Sequence, residues 1–413
     1  MTSRDYEHPY RPLPVRLFNR IGRAGLRLGL PGRLEVDSLV AAARRKTGLR
    51  DFGEDRHLDA LHVLVESITD EARLTATGRL IQQSQLGGAL IQRLRIQELL
   101  RRHPEIHDVT LAPIVLVTGL QRTGTTLLHR LLNAHPGIRG ISGAEALDPA
   151  SAANAGGRGG RAGKRRALIA ERGMAYLAPD FRAIHPISHE DAEEDILLLD
   201  LNFMTQSPEA TMHVPGYSRW LEEQDHTWAY EYFRTLLQAL SWQRPGRPWV
   251  LKTPHHMEFL DVFLRVFPEA TVVQTHRDPR VSLASYCSMV AHARGILSDY
   301  VNPREIGEHW TRKSRRMVEQ AMEARAGAED RRFIDVSYYD LTSDPIAELR
   351  RICELAGIGF DDAAEREAAR WMNANPQSRF GTHTYRLDDF GLSEEVVDKT
   401  FSAYRKQHAI PFE

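Results

Sequence analysis

A doubly wound α/β fold, with a mainly parallel sheet flanked by helices and a helical region in front of it, is what this sequence predicts. Two observations carry the expectation. From residue 248 onward, β-branched runs alternate with runs of helical period, and that alternation builds a parallel sheet through helical crossovers. Earlier, residues 113–132 read PIVLVTGLQRTGTTLLHRLL. An apolar strand-like run enters a glycine turn and leaves it as a helix. Strand, glycine turn and helix start in this order make an anion cradle, because the free N–H groups of the first helical turn and the helix dipole both favour negative charge.

Taken in order, residues 1–33 set Leu13, Val15, Leu17, Phe18, Ile21, Leu26 and Leu28 among Arg16, Arg20, Arg23 and Arg27. Such a basic amphipathic helix can make a weak peripheral contact with a membrane surface. The blander expectation, and the favoured one, is that its apolar stripe packs on the protein and its arginines stay in water. Residues 56–103 repeat apolar positions at helical spacing (Leu58, Leu61, Leu64, Val65, then Leu90, Ile91, Leu94, Ile96) until Pro104, so two or three amphipathic helices are expected. Residues 1–108 then form a helical arm or cap, and 109–413 the α/β domain, with a helical insertion at about 150–245.

Residues 154–166, NAGGRGGRAGKRR, suggest a loop, either a surface excursion or a lid over an anionic site. The run HEDAEED at 189–195 precedes ILLLDLNF and suits the first turn of a helix, where the dipole favours acids. Phe203, Met204, Met212, Tyr217, Trp220, Trp228, Tyr230, Tyr232 and Phe233 follow. They either line an apolar pocket or pack between helices. Beyond them PWVLKTP, TVVQTH (271–276) and FIDVSYYD (333–340) suggest strands, while HHMEFLDVFLRVF, SLASYCSMV and PIAELRRICELAG (345–357) suggest helices.

Bulk properties narrow the function. With 413 residues and a formal net charge of −1, the chain has no global basic field for nucleic acid, so any anion site is local. Two cysteines, Cys287 and Cys353, suggest a reducing compartment rather than a disulfide framework. No stretch is apolar enough to span a bilayer, and no apolar leader core opens the chain, so a cytoplasmic protein is expected.

The loop departs from the nucleoside-triphosphate pattern G-x-x-x-x-G-K-[ST]. Gly119 and Gly124 keep the spacing, but Thr125 stands where the Lys belongs and Arg122 brings a cation inside the loop. Without that Lys a kinase or NTPase loses its main γ-phosphate contact. Lys252 and Arg277 fall at or just beyond later strand ends, and Ser285 follows Arg277 in HRDPRVSLAS. Ligands of open α/β sheets bind at those ends.

Together these residues resemble the sulfotransferase superfamily, which uses 3′-phosphoadenosine 5′-phosphosulfate. The resemblance is nearest the bacterial family whose loop reads roughly G-x-x-R-[ST]-G-[ST]-T, and it covers most of residues 113–410. It implies a P-loop-like fold and an enzyme moving a sulfuryl group to a hydroxyl of a small or lipid-like acceptor, with no metal. It also implies that Arg122, Thr123, Gly124, Thr125 and Thr126 bind the 5′-phosphosulfate, and that Arg277 and Ser285 grip the 3′-phosphate. Tyr338, in YYDLTSDP, would lie near the adenine, although Tyr339 replaces the family's Glu there. Arg379, Gly381 and His383 would add a second contact to the 3′-phosphate. Lys252 would contact the transferring sulfuryl group, and Arg122, Lys252 and the loop N–H groups would stabilise the negative charge that builds on the leaving group. Glu145 is the first expectation for the base, and His256, beside His255, is the second. A nucleotide kinase or NTPase, and a non-catalytic nucleotide-binding scaffold, are the rival readings.

Overall fold

The computed structural model of the chain describes residues 5–27, 34–154, 161–179, 191–329, 332–376 and 384–413. Its centre is a four-stranded parallel sheet in the order β4-β1-β5-β6. β1 is Ile114–Gly119, β4 Trp249–Lys252, β5 Thr271–His276 and β6 Phe333–Ser337. β1 pairs in register with β4 on one side (Leu116↔Leu251) and with β5 on the other (Leu116↔Val272). The chain thus leaves β1 for one edge and returns past it to build the other. That reversal opens a crevice between β1 and β5 at the strands' carboxyl ends.

β1 is buried along its whole length, as a central parallel strand covered on both faces must be. One face packs Val115, Val117, Val250, Val273 and Ile334 under α5 (Thr125–Ala134) and the helix Pro345–Leu355. The other packs Leu116, Leu251 and Val272 under the helices Pro279–Leu297, Pro303–Ala326 and Thr227–Ser241.

Two expected elements end differently. The strand at 333–340 stops at Ser337, whose hydroxyl accepts from the N–H groups of Tyr339 and Asp340 and caps the helix Tyr338–Ser343. A serine cap there outweighs the β-propensity of the two tyrosines. The helix expected across HHMEFLDVFLRVF divides into a 3-10 turn, Pro254–Met257, and a helix, Leu260–Val266.

In the N-terminal region, α1 (Leu13–Arg27), α2 (Val36–Thr47), α3 (Arg56–Asp70) and α4 (Ala76–Arg102) precede the sheet. Leu61, Leu64, Leu90 and Leu94 share one core with Phe203, Met204, Met212 and Tyr217. Tyr230 and Phe233 are buried in the sheet-side core. Those aromatic and Met side chains therefore pack between helices. Lys313, wholly buried, meets Glu209 at 3.2 Å, Glu222 at 3.1 Å and Glu258 at 2.8 Å, tying the insertion to the sheet-side helices. A buried charge needs such partners.

The favoured expectation for α1 fails. Leu13, Leu17, Phe18 and Ile21 are exposed, whereas Asn19 is buried. Asn19 Oδ1 accepts from the N–H and hydroxyl of Thr77, and Gly22 lies so close to Ala76 that an added Cβ would stand 2.4 Å from its Cβ. The helix docks through its small and polar face because that face alone permits so close an approach. Of the segment 154–166, residues 155–160 lie outside the described residues, and Arg161 opens the helix Arg161–Leu177.

Candidate active site

The glycine loop is shaped by what surrounds it. Gly119 has φ 148°, and an added Cβ would stand 2.4 Å from Thr275 Oγ1 and 2.6 Å from Thr275 O. Only glycine lets β1 turn away so close to β5. Arg122 (φ 70°) and Gly124 (φ 94°) complete the turn, and α5 begins at Thr125. Thr123 is fully buried. Its hydroxyl donates to Leu120 O at 2.6 Å and lies 2.6 Å from Thr275 Oγ1. The side chain therefore fastens the loop to β5, leaving only the backbone N–H of Thr123 for a ligand. Gly124, Thr125 and Thr126 stand at the start of α5, where N–H groups lack intrahelical acceptors.

On the β5 side, four segments meet. Arg122 Nε donates to Ser285 Oγ at 3.0 Å. Arg277 Nη1 donates to Arg122 O at 3.3 Å, and its guanidinium lies 3.9 Å from the ring centre of Tyr338. Burial lowers the Arg122 pKa, and the nearby Arg277 charge adds to the lowering. Two guanidinium groups so close together favour an anion beside them. The fork of Arg277 in fact holds a carboxylate, donating to Glu413 Oε2 at 2.9 Å and Oε1 at 2.6 Å. Arg122, expected beside the transferring group, has its Nε on Ser285 Oγ. Arg379, Gly381 and His383 lie outside the described residues.

On the β4 side, Lys252 closes the strand with its side chain 2% exposed. Its Nζ donates to Thr126 Oγ1 at 3.3 Å and pairs with Glu194. Glu194 follows β3 (Ala192–Glu193), which pairs antiparallel with β2 (Ile141–Ser142). The neighbouring Glu193 carboxyl is pushed up to about 7, by burial first and then by the charge of Glu194. Residues 192–195 are thus a short strand and a cap, not the helical first turn that their acidity suggests. Glu193 and Glu194 are the functional candidates sequence reasoning missed. A run of acids before an apolar helix has a sufficient explanation in the dipole, so nothing in the sequence marked them.

Both expected bases have other work. Glu145 is 4% exposed in α6 (Gly143–Leu147). Its Oε2 accepts from the N–H and hydroxyl of Ser142, both at 2.9 Å, in a capping box, and its Oε1 pairs with Arg139 at 2.8 Å. Both carboxylate oxygens are thus engaged in the helix cap and the ion pair. His256 is fully buried, with Nδ1 2.8 Å from Tyr230 Oη and Nε2 3.0 Å from Asp195 Oδ2. Both its nitrogens are spoken for. His255 is also fully buried, and burial pushes its pKa well below the usual histidine value.

Among the described residues, His276, Asp335 and His408 bring metal-type ligand atoms within 4.8 Å of one another. Arg325 already donates to both Asp335 oxygens, at 2.6 and 2.8 Å. A guanidinium in that position repels a metal cation.

A parallel sheet whose switch point carries a glycine loop, two arginines on one side and a lysine–carboxylate pair on the other defines an α/β protein built to hold an extended anion. The chain belongs to the sulfotransferase family, whose sequence model matches residues 113–362. It is similar to the crystal structure of sulfotransferase STF1 from Mycobacterium tuberculosis H37Rv, with 33% identity, TM-score 0.78 and coverage of 90% of this chain and 99% of that one. Sulfotransferase STF9 from Mycobacterium avium matches at 26% identity and TM-score 0.82, over 91% of this chain and 97% of that one. A curated relative, omega-hydroxy-beta-dihydromenaquinone-9 sulfotransferase Stf3 of Mycobacterium bovis, is 25% identical over 263 residues, 60% of this chain. The matched region spans 63% of that relative's length.

Proposed function

We propose that the chain transfers the sulfuryl group of 3′-phosphoadenosine 5′-phosphosulfate to a hydroxyl of a lipid-like acceptor, in the cytoplasm. The observation that carries the reading is the gathering of Arg122, Arg277, Ser285 and Tyr338 from four separate segments beside the loop, with Arg277 gripping a carboxylate through two N–H groups. A planar fork suited to two carboxylate oxygens suits two phosphate oxygens equally well. In this reading Arg277, Ser285 and Arg122 take the 3′-phosphate, and the Tyr338 ring lies by the adenine. The N–H groups of residues 123–126 take the 5′-phosphosulfate. The relative acting on a hydroxylated menaquinone supports the acceptor class.

The chemistry then follows from charge. The acceptor oxygen attacks sulfur as the bond from sulfur to the 5′-phosphate oxygen breaks, and negative charge gathers on that oxygen. Lys252 and the loop N–H groups stabilise it. The acceptor proton passes to the carboxylate of Glu194, the acid in contact with Lys252. As Lys252 turns to the leaving oxygen it releases Glu194 for this task.

Two measurements test the proposal together: calorimetric titration with adenosine 3′,5′-bisphosphate, and transfer of ³⁵S-labelled sulfate to hydroxylated polyprenyl quinones and short alcohols. Micromolar bisphosphate binding with transfer to the quinones is the expected result. Bisphosphate binding without transfer would leave a scaffold. Magnesium-dependent ATP consumption would return the chain to the kinases.

A further inference from the structure

We infer that α1 is a docking surface for an anionic lipid bilayer. Leu13 (69% exposed), Leu17 (58%) and Ile21 (63%) stand four residues apart and so share one side of the helix, with Phe18 (43%) at its border. Single exposed leucines are ordinary on a protein surface, but four large apolar side chains along one helix are a patch.

The helix is not a loose tail whose exposure is accidental. Asn19 and Gly22 seat it on α4, as described above. Arg11 holds its start, donating to Ser298 O at 2.8 Å, Ile296 O at 3.3 Å and Asp299 Oδ1 at 3.2 Å, and Arg23 pairs with Asp299 at 2.8 Å. Just before it, Tyr6 is buried and its hydroxyl lies 2.9 Å from Ser288 Oγ. The fold thus fixes α1 with its apolar side outward.

Charge identifies the occupant. The stretch Leu13–Arg27 carries four arginines and no acidic residue. Arg16 and Arg20 are exposed and have no ion-pair partner among the described residues, while Asp299 is already paired with Arg11 and Arg23. A second copy of the chain would bring the same positive charges against these, which repel. A bilayer with anionic headgroups meets both needs at once, taking the leucines below the headgroups and the arginines among them. The purpose of docking rests on the lipid-like acceptor proposed above, which would reside in that bilayer. The docking itself does not.

The test floats the full chain with vesicles of phosphatidylcholine alone or with phosphatidylglycerol added. The expected result is flotation with the anionic vesicles, weakened by salt. Leu17→Glu with Ile21→Glu should cut the bound fraction by about tenfold or more. Arg16→Glu with Arg20→Glu should abolish the preference for anionic vesicles. Leu355→Glu, at another exposed leucine (59%), should change nothing. Failure of the unaltered chain to float with anionic vesicles overturns the proposal, as does equal flotation of the Leu17/Ile21 variant. A dimer in sedimentation velocity that this variant dissociates also overturns it, by giving the stripe to a second copy. Bisphosphate titration of each variant reports folding and the donor site separately, so a failure of the donor reading and a failure of docking are distinguishable.

Discussion

On the β5 side of the crevice, cations come from residues far apart in sequence, and each sits where a strand or loop of the sheet ends. On the β4 side, Lys252 also sits at a strand end, but its partner Glu194 arrives directly after a two-residue strand inside the long excursion between β1 and β4. The first side follows from a parallel sheet alone, since every strand of such a sheet ends at the same edge. The second depends on β2 meeting β3, a contact of two residues on each strand. Binding would lie with the first side and chemistry with the second, so substitutions should separate affinity from turnover.

The largest effect is expected at Lys252. Lys252→Met should lower turnover by about a thousandfold, the scale of removing a preorganised donor from developing charge, with bisphosphate affinity changed far less. A large loss of affinity with intact turnover in single-turnover assays would move Lys252 to the binding side. Next is Glu194→Gln, for which turnover should fall by about a hundredfold or more, as for loss of a general base. Glu145→Gln is its control. That change disturbs the capping box and the Arg139 pair, so it should lower the melting temperature while turnover at permissive temperature stays nearly intact. The reverse pattern would restore Glu145 as the base.

Arg277→Ala should act on the other side. Loss of a charge-assisted fork costs about 2 kcal/mol, roughly thirtyfold in bisphosphate affinity, read by calorimetry. Turnover at saturating donor should change little. Equal affinity in the variant would place the 3′-phosphate elsewhere.

The same contrast explains what the sequence disclosed. Gly119 and Gly124 announced the loop because their spacing is imposed by local backbone geometry, and Arg277 with Ser285 announced themselves as a turn followed by a helix. The strand expected at 271–276 is found there as β5. Tyr338 was not legible as a helix start, since the cap belongs to Ser337 one residue earlier. The capping box of Glu145 was not legible as such, because a Ser three residues before a Glu in a loop also fits a carboxylate left for chemistry. Glu193 and Glu194 were illegible because their acidity already had a sufficient explanation at a helix start, whereas their placement comes from pairing with residues some fifty positions away. The outward stripe of α1 was misread for a related reason. Periodicity shows that a helix has an apolar side but not which side its neighbour accepts, and here Gly22 and Asn19 decided that.

The smallest expected effect concerns Glu193 and probes how close the two acids lie. Its carboxyl is raised from 4.5 to about 7, by burial first and by Glu194 next. The folded chain therefore binds this proton more tightly than the unfolded chain does. The stability this contributes is fully present below about pH 4.5 and is lost as the pH rises through about 7. The shift sets a ceiling of about 3 kcal/mol, and a realistic share after relaxation is about 1 kcal/mol. Glu193→Gln keeps the shape and cannot ionise. Its melting temperature should match that of the unaltered chain near pH 5 and exceed it by about 1 °C near pH 8. Pairing the change with Glu194→Gln sharpens the point. Removing the Glu194 charge lowers the Glu193 pKa, so the advantage of Glu193→Gln at pH 8 should shrink in the Glu194→Gln background. An advantage that is undiminished there would mean that burial alone raises Glu193 and that the two carboxylates do not act on one another across the end of β3.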